Sequence, residues 1–182
     1  MDHADHMALI REGVSPGVWA DLGSGSGAFT LALADLLGPG ARIHSVDRDG
    51  GALRRQREAM EARFPEARVE YLRADFTGPL PLPTLDGIVM ANSLHFVRRK
   101  DPVLALVRGL LKPGGRLVLV EYDADRGNPW VPHPLSYQTW SALAPTCGFG
   151  PTTRLHRVPS RFLGAIYSAL CLRPPAGADR PA

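Results

Sequence analysis

The chain has 182 residues, of which 45% are hydrophobic and 21% charged. That is the balance of one soluble globular domain with its own core, not of a tandem array or a low-complexity chain. The formal charge is +3, and all but Lys100 and Lys112 of the 21 basic residues are arginines. Their densest run, Arg54, Arg55 and Arg57, is followed by Glu58 and Glu61, which reads as a solvated helix face and excludes the basic stripe of a nucleic-acid binder.

The pattern in chain order alternates strand and helix. Residues 5–12 have room for one or two helical turns. Residues 17–22 read as a strand that runs into Gly23, Ser24, Gly25, Ser26 and Gly27, and Phe29, Leu31, Leu33, Leu36 and Leu37 then recur at helical intervals up to Gly38. Residues 41–46 form a second strand ending at Asp47, and residues 51–64 a charged amphipathic helix stopped by Pro65. Residues 68–72 and 85–91 form the third and fourth strands, separated by a proline-broken stretch. Asp101 is placed as the N-cap of a helix that carries Val103, Leu104, Val107 and Leu110 and ends before Lys112-Pro113-Gly114-Gly115. Residues 116–122 are the fifth and most apolar strand. A helix over 135–144 and extended segments over 152–158 and 161–172 complete the reading, the last two as a hairpin. Buried strands alternating with helices give a doubly wound, mostly parallel α/β sheet. One domain is expected over residues 1–172, with residues 173–182 as a disordered tail.

Cys147 and Cys171 lack metal-ligand spacing and are too few for a disulfide framework. No stretch reaches the ~18 consecutive apolar residues of a membrane span, and no basic-then-apolar leader opens the chain. A cytoplasmic protein with no metal, membrane or nucleic-acid partner is the expectation.

In such a sheet the ligand lies beyond the carboxyl ends of the strands, where the strand order reverses. Gly23, Gly25 and Gly27 permit a sharp turn and close approach of a ligand, and the helix that follows offers free N–H groups. Asp47 stands 20 residues beyond Gly27, the spacing at which a carboxylate accepts from two ribose hydroxyls. This is a nucleoside-binding signature, and by itself it also fits a dinucleotide. A nicotinamide reductase of the short-chain type needs a Tyr-x-x-x-Lys pair, but the positions four before Lys100 and Lys112 hold Phe96 and Arg108.

The order Asp21-Leu22-Gly23-Ser24-Gly25-Ser26-Gly27, Ser45-Val46-Asp47, Ala74-Asp75-Phe76, Asn92-Ser93-Leu94-His95-Phe96 and Leu111-Lys112-Pro113-Gly114-Gly115 resembles the class I methyltransferases that use S-adenosylmethionine, in particular the small ubiquinone-biosynthesis-like or type 11 group. The resemblance covers residues 7–172. It implies a Rossmann-like sheet of seven strands in the order 3-2-1-4-5-7-6 with the seventh antiparallel, and methyl transfer to a small-molecule acceptor with S-adenosylhomocysteine as product. It also implies that Asp21 and the loop of Gly23, Ser24, Gly25 and Gly27 hold the methionine part. Asp47 would take the ribose, Arg48 would lie against the adenine, Asp75 would accept from the adenine amino group, and Phe76 would flank the ring. Asn92, Ser93 and Leu94 would line the path of the methyl group, and His6 or Met7 would lie over the cofactor. A cofactor-binding module without turnover shares these features.

His95 and His133 are the candidate general bases, since imidazole titrates near neutrality. Glu121, Asp123 and Asp125 read as a polar rim, with Trp130 and Tyr137 as aromatic walls. Only about 16 residues precede the first strand, so the acceptor site is expected to be open, serving a sizeable substrate or completed by a second copy in a homodimer.

Overall fold

The computed structural model describes residues 1–160 and 162–175. Seven strands, β1 (Val18–Leu22), β2 (Arg42–Asp47), β3 (Arg68–Arg73), β4 (Leu85–Ala91), β5 (Leu111–Tyr122), β6 (Thr153–Pro159) and β7 (Ala165–Leu172), form one sheet in the order β3-β2-β1-β4-β5-β7-β6. β1 to β5 pair in parallel, and β7 runs antiparallel to both β5 and β6. The doubly wound class and the closing hairpin are as the sequence predicts, and the strand order is the one the family resemblance implies.

The strands are apolar on both sides because both sides are covered. Trp19, Ile43, Val89, Val118 and Val120 face a layer made by α1 (His3–Ile10), α2 (Ala28–Leu37) and α3 (Gly50–Arg63). Their alternating neighbours Ala20, Leu22, Ile88, Met90, Leu117 and Leu119 face α4 (Lys100–Leu110) and α5 (Tyr137–Thr146). Each strand therefore presents one side chain in two to each layer.

Several boundaries differ from the sequence reading, such as β7, which begins at Ala165 and not at 161, and three of the differences have a clear physical cause. α1 starts at His3, because Asp2 and Asp5 form a reciprocal capping box that satisfies two of its free N–H groups. Asp101 is not an N-cap: Arg99 holds that position, α4 begins at Lys100, and Pro102 sits in the first turn, where its missing N–H costs no helical bond. β5 begins at Leu111 rather than at Arg116, with an irregularity across Lys112–Gly115 in its pairing with β4. There Gly114 takes a φ of 77°, which glycine adopts without strain.

Ordered structure also runs past the expected end at Leu172. The Arg173 N–H donates to Gly115 O and the Gly114 N–H to Arg173 O, both at 2.8 Å, while its guanidinium donates to the carbonyls of Arg108 and Leu111. The rest of the expected tail from Ala176 onward lies outside the described residues. No helix among the described residues is long and apolar enough to cross a membrane.

The register of β1 against β4 rests on one tight fit. Trp19 is fully buried, donates from Nε1 to Ser15 O at 2.8 Å, and pairs with Gly87. A Cβ on Gly87 would stand 2.4 Å from the indole. Gly87→Val is expected to lower stability by about 1–3 kcal/mol through overpacking, read from the denaturant midpoint; an unchanged midpoint would show that the indole can move aside.

Candidate functional site

Strand order reverses between β1 and β4, so the chains leaving these two strands diverge and leave a cleft above the carboxyl ends. Its volume is about 280 Å³, and its wall is Gly23 after β1, Asp47 and Arg48 after β2, Ala74, Asp75, Phe76 and Thr77 after β3, and Asn92, Ser93, Phe96 and Val97 after β4. Of the residues expected to bind a cofactor, Gly23, Asp47, Arg48, Asp75, Phe76, Asn92 and Ser93 thus stand on one cavity.

The loop from β1 to α2 passes close to its neighbours. Gly23 has a φ of 78°, and a Cβ there would lie 2.5 Å from Cβ of Ser93, whose hydroxyl donates to Leu22 O at 2.8 Å. The ends of β1 and β4 are locked together at a point only glycine fits. Gly25 differs: its φ is 53°, and a Cβ would meet nothing within 4 Å. Its N–H donates to Asp47 Oδ2 at 2.7 Å, and Asp47 Oδ1 accepts from the Asp49 N–H at 2.8 Å. Asp47 therefore closes the loop from the cleft side, and each oxygen keeps a lone pair for a further donor.

Ser24 and Gly27 hold the loop from behind. The hydroxyls of Ser24 and Ser45 lie 2.7 Å apart and within 3.3 and 3.0 Å of Gln56 Oε1, all in the interior. Gly27 caps α2 in the left-handed region, with no space for a Cβ beside Gln56. Sequence reasoning missed Gln56. A signal was present, since it is the one polar member of the buried stripe Ala52, Leu53, Gln56 and Met60 on α3.

Asp21 does not line the cleft. It follows Trp19 by two residues and so shares the α2 side of β1, where it is 1% exposed and accepts from the Thr30 hydroxyl at 2.7 Å. Burial pushes its pKa up to about 7, against the Thr30 hydrogen bond, with the Asp47 charge adding to the rise. Leu94 is also off the cleft, fully buried in the α4 layer. Asp75 is its opposite, an exposed carboxylate held below its usual range by the Thr77 N–H and hydroxyl at 2.9 and 2.8 Å, both on Oδ1. Asn92 takes a φ of 51°, rare outside glycine, and its Oδ1 is buried without a partner.

The strand-end histidines part company. His95, in the 3-10 turn Leu94–Phe96, is 3% exposed, and both its N–H and its Nδ1 meet the fully buried carboxylate of Glu121, at 3.0 and 2.9 Å. His133 acts through its backbone, its N–H donating to His95 O and its carbonyl accepting from Lys100 Nζ, and its ring does not line the cleft. The expected acidic rim is dispersed: Glu121 faces His95, Asp123 accepts from the Tyr137 N–H and Arg157, and Asp125 accepts from the Ser136 N–H. Tyr137 is no wall of the site; it packs edge-on against Tyr167 and under Arg154. His6 packs against Phe29 of α2, and neither it nor Met7 reaches the cleft.

Asp21 makes stability pH-dependent. Its folded-state value of about 7 lies above the ~3.9 of an unfolded aspartate, so the folded chain binds this proton more tightly. The resulting stability is complete below pH ~4 and is lost as pH rises through about 7, at no more than ~1.4 kcal/mol per pH unit. Asp21→Asn is expected to gain on the parent chain in denaturant midpoint between pH 5 and pH 8; a difference independent of pH would contradict the assignment.

Residues 20–117 match the family model described as "Methyltransferase domain". The ubiquinone/menaquinone biosynthesis C-methyltransferase UbiE of Pasteurella multocida is 33% identical over 104 residues, 57% of this chain and 39% of that protein. The UbiE of Teredinibacter turnerae is 34% identical over 113 residues, 61% of this chain and 45% of its own length. The matched region thus spans less than half the length of these relatives. Among solved structures, 1,6-didemethyltoxoflavin-N1-methyltransferase of Burkholderia thailandensis, with bound 1,6-didemethyltoxoflavin and S-adenosylhomocysteine, superposes with a TM-score of 0.75 at 21% identity, over 95% of this chain and 78% of that one. An S-adenosylmethionine-dependent methyltransferase of Aquifex aeolicus gives a TM-score of 0.69 at 18% identity, over 95% and 99%. With the family match running from within β1 to within β5, over more than half of the chain, and this architecture throughout, the chain belongs to the class I S-adenosylmethionine-dependent methyltransferases.

Proposed function

We propose that the chain holds S-adenosylmethionine in the cleft between β1 and β4 and transfers its methyl group to a small-molecule acceptor. The observation that carries this reading is the convergence of Gly23, Asp47, Asp75 and Phe76, from three strand ends, on one cavity of about 280 Å³. The residues fit the cofactor: open space over Gly25, a carboxylate on each side, an aromatic ring, and the unpartnered Asn92 Oδ1. Bound there, the cofactor supplies a methyl group already made electrophilic by a positive sulfur.

The chain's own work is placement. Asp47 would turn its spare lone pairs to the ribose hydroxyls, with Arg48 beside the adenine. Asp75, whose Oδ2 is not engaged by Thr77, would accept from the adenine amino group, and Phe76 would cover the ring. The loop of Gly23, Ser24, Gly25 and Gly27 would receive the methionine part at the start of α2, with Asp21 fixing that turn through Thr30. Asn92 and Ser93 would border the path of the methyl group, held by Leu94 in the core. Alignment of this kind lowers barriers by roughly 7–11 kcal/mol.

The acceptor would enter over the rings beyond β4 and β5. Phe96, Trp130 and Phe162 are 57%, 69% and 50% exposed, and Trp130, Phe162 and Tyr122 stand in a row with centroids 6.1 and 6.0 Å apart. Such a shelf suits a flat or apolar acceptor. A nicotinamide reading has no support in the lysines: Lys112 is paired with Asp86 at 2.7 Å, and Lys100 donates to the carbonyls of Val97 and His133.

Calorimetric titration is expected to show binding of S-adenosylmethionine and S-adenosylhomocysteine and none of NADH or NADPH. Asp47→Ala should weaken binding by roughly 1.5–3 kcal/mol, the loss of charge-assisted hydrogen bonds. Gly25→Val should abolish it by filling the space above the loop. Nicotinamide binding, or full affinity in both variants, would sink the reading. Methyl transfer to any of a panel of flat aromatic alcohols and amines separates an enzyme from a module that only binds.

A further inference from the structure

Glu121 is a carboxylate at the end of the most apolar strand, 0% exposed, and a buried charge persists only where several groups satisfy it. Three donors do so here: the His95 N–H at 3.0 Å, His95 Nδ1 at 2.9 Å and the Tyr122 N–H at 3.3 Å. The Lys100 ammonium adds an attractive charge. Burial pushes its pKa down, and the Glu121 charge works against that shift. A carboxylate can only accept, so the contact puts the imidazole proton on Nδ1 and leaves the lone pair on Nε2. Nε2 takes no hydrogen bond from any described residue.

The ring so fixed does not itself line the cofactor cleft; it packs beside rings that border the two proposed halves of the site. Its centroid is 4.3 Å from that of Phe96, which lines the cofactor cleft, and 5.8 Å from Tyr122, which begins the aromatic row. Its backbone is held on both sides, the N–H by Glu121 and the carbonyl by the His133 N–H at 3.0 Å. Main chain and ring of one residue are thus anchored by one carboxylate, more than packing alone requires.

We infer that His95 accepts the proton of the methyl acceptor at Nε2 and that Glu121 is its positioning residue, setting the tautomer and facing the imidazolium that forms. The inference rests on the methyltransferase reading and specifies its acceptor: a nucleophile that arrives protonated, an aromatic hydroxyl or a neutral N–H. A hydroxyl's O–H bond breaks toward Nε2 as an oxygen lone pair forms the bond to the methyl carbon; an amine attacks with the lone pair it already carries, and its N–H bond breaks toward Nε2 as the new carbon–nitrogen bond makes that proton acidic. The carbon–sulfur bond breaks with its electron pair kept by sulfur. The proton then passes from Nε2 to water as the product leaves.

Long-range proton–nitrogen NMR of the histidine-labelled chain tests this without any acceptor, His95→Asn identifying the His95 signals by their loss. The wild-type chain is expected to show a protonated Nδ1 and a bare Nε2, and Glu121→Gln to shift both nitrogens toward the averaged positions of mixed tautomers. A protonated Nε2 in the wild-type chain, or an unchanged pattern in Glu121→Gln, overturns the inference; the wild-type spectrum decides even if that variant does not fold. S-adenosylhomocysteine titrated into each variant should bind within about twofold of wild type. Loss of that binding in the variants would assign the pair to the cofactor site and overturn the inference, whereas silence in the wild-type chain would strike the methyltransferase reading and leave the tautomer result standing. For an acceptor turned over by the panel, kcat should fall at least about a hundredfold in His95→Asn, within the usual range for a general base, with KM for the cofactor unchanged. An unchanged kcat in His95→Asn contradicts the role of His95.

Discussion

Everything at this site depends on one steric constraint: the chain leaving β1 must turn into α2 within contact distance of the chain leaving β4. Gly23 passes Ser93 where a Cβ would stand 2.5 Å away, and Gly27 passes Gln56 at 2.4 Å. The close approach lets Ser93 donate to Leu22 O and Gln56 support Ser24 and Ser45 from below. Were the turn wider, β1 and β4 would separate, and the walls carrying Asp47, Asp75 and Asn92 would not face one cavity. Gly25 answers a different need, since the space above it is open and belongs to the ligand in our reading.

Charge is distributed in keeping with that geometry. Asp75, in solvent and held by Thr77, stays ionised, whereas Asp21, two strand positions before Gly23 and buried under α2, titrates near neutrality. The same residue type thus offers a free ionised acceptor in one place, which our reading gives to the ligand, and an interior hydrogen-bond partner in the other, and solvent access separates the two roles. Glu121 is a third case, a buried carboxylate whose donors come mostly from one histidine. That histidine packs against Phe96 of the cleft and Tyr122 of the aromatic row, so in our reading the cofactor half of the site and the acceptor half share one element, the short turn Leu94–Phe96.

The sheet is legible because its strands are short apolar runs bounded by breakers; β4 has the bounds 85–91 that its apolar run predicts. The glycine loop, Asp47 and Asp75 were legible because local spacing places them at strand ends. What escaped depends on which face a side chain takes, or on partners far apart in sequence. Asp21 shares the face of Trp19, which an alternation count from the indole would have shown. Glu121 meets His95 across 26 positions, and nothing local announces that pair. Tyr137 looked like a site aromatic because it follows the loop after β5, yet α5 carries it to Tyr167. The irregularity in β5 escaped because Lys112–Gly115 has the composition of a turn; only the pairing of Leu111 and Arg116 with β4 on either side of it, and the hydrogen bonds of Gly114 and Gly115 with Arg173, carry the strand across.

The central claim is that the cleft between β1 and β4 receives the cofactor. Amide chemical-shift mapping on addition of S-adenosylhomocysteine tests it most directly. The account predicts shifts concentrated at Gly23, Gly25, Asp47, Asp75, Phe76 and Asn92. Shifts gathered instead around the cavity of about 310 Å³ between Gly38 and Phe64, at the ends of α2 and α3, or no shifts at saturating ligand, would contradict it.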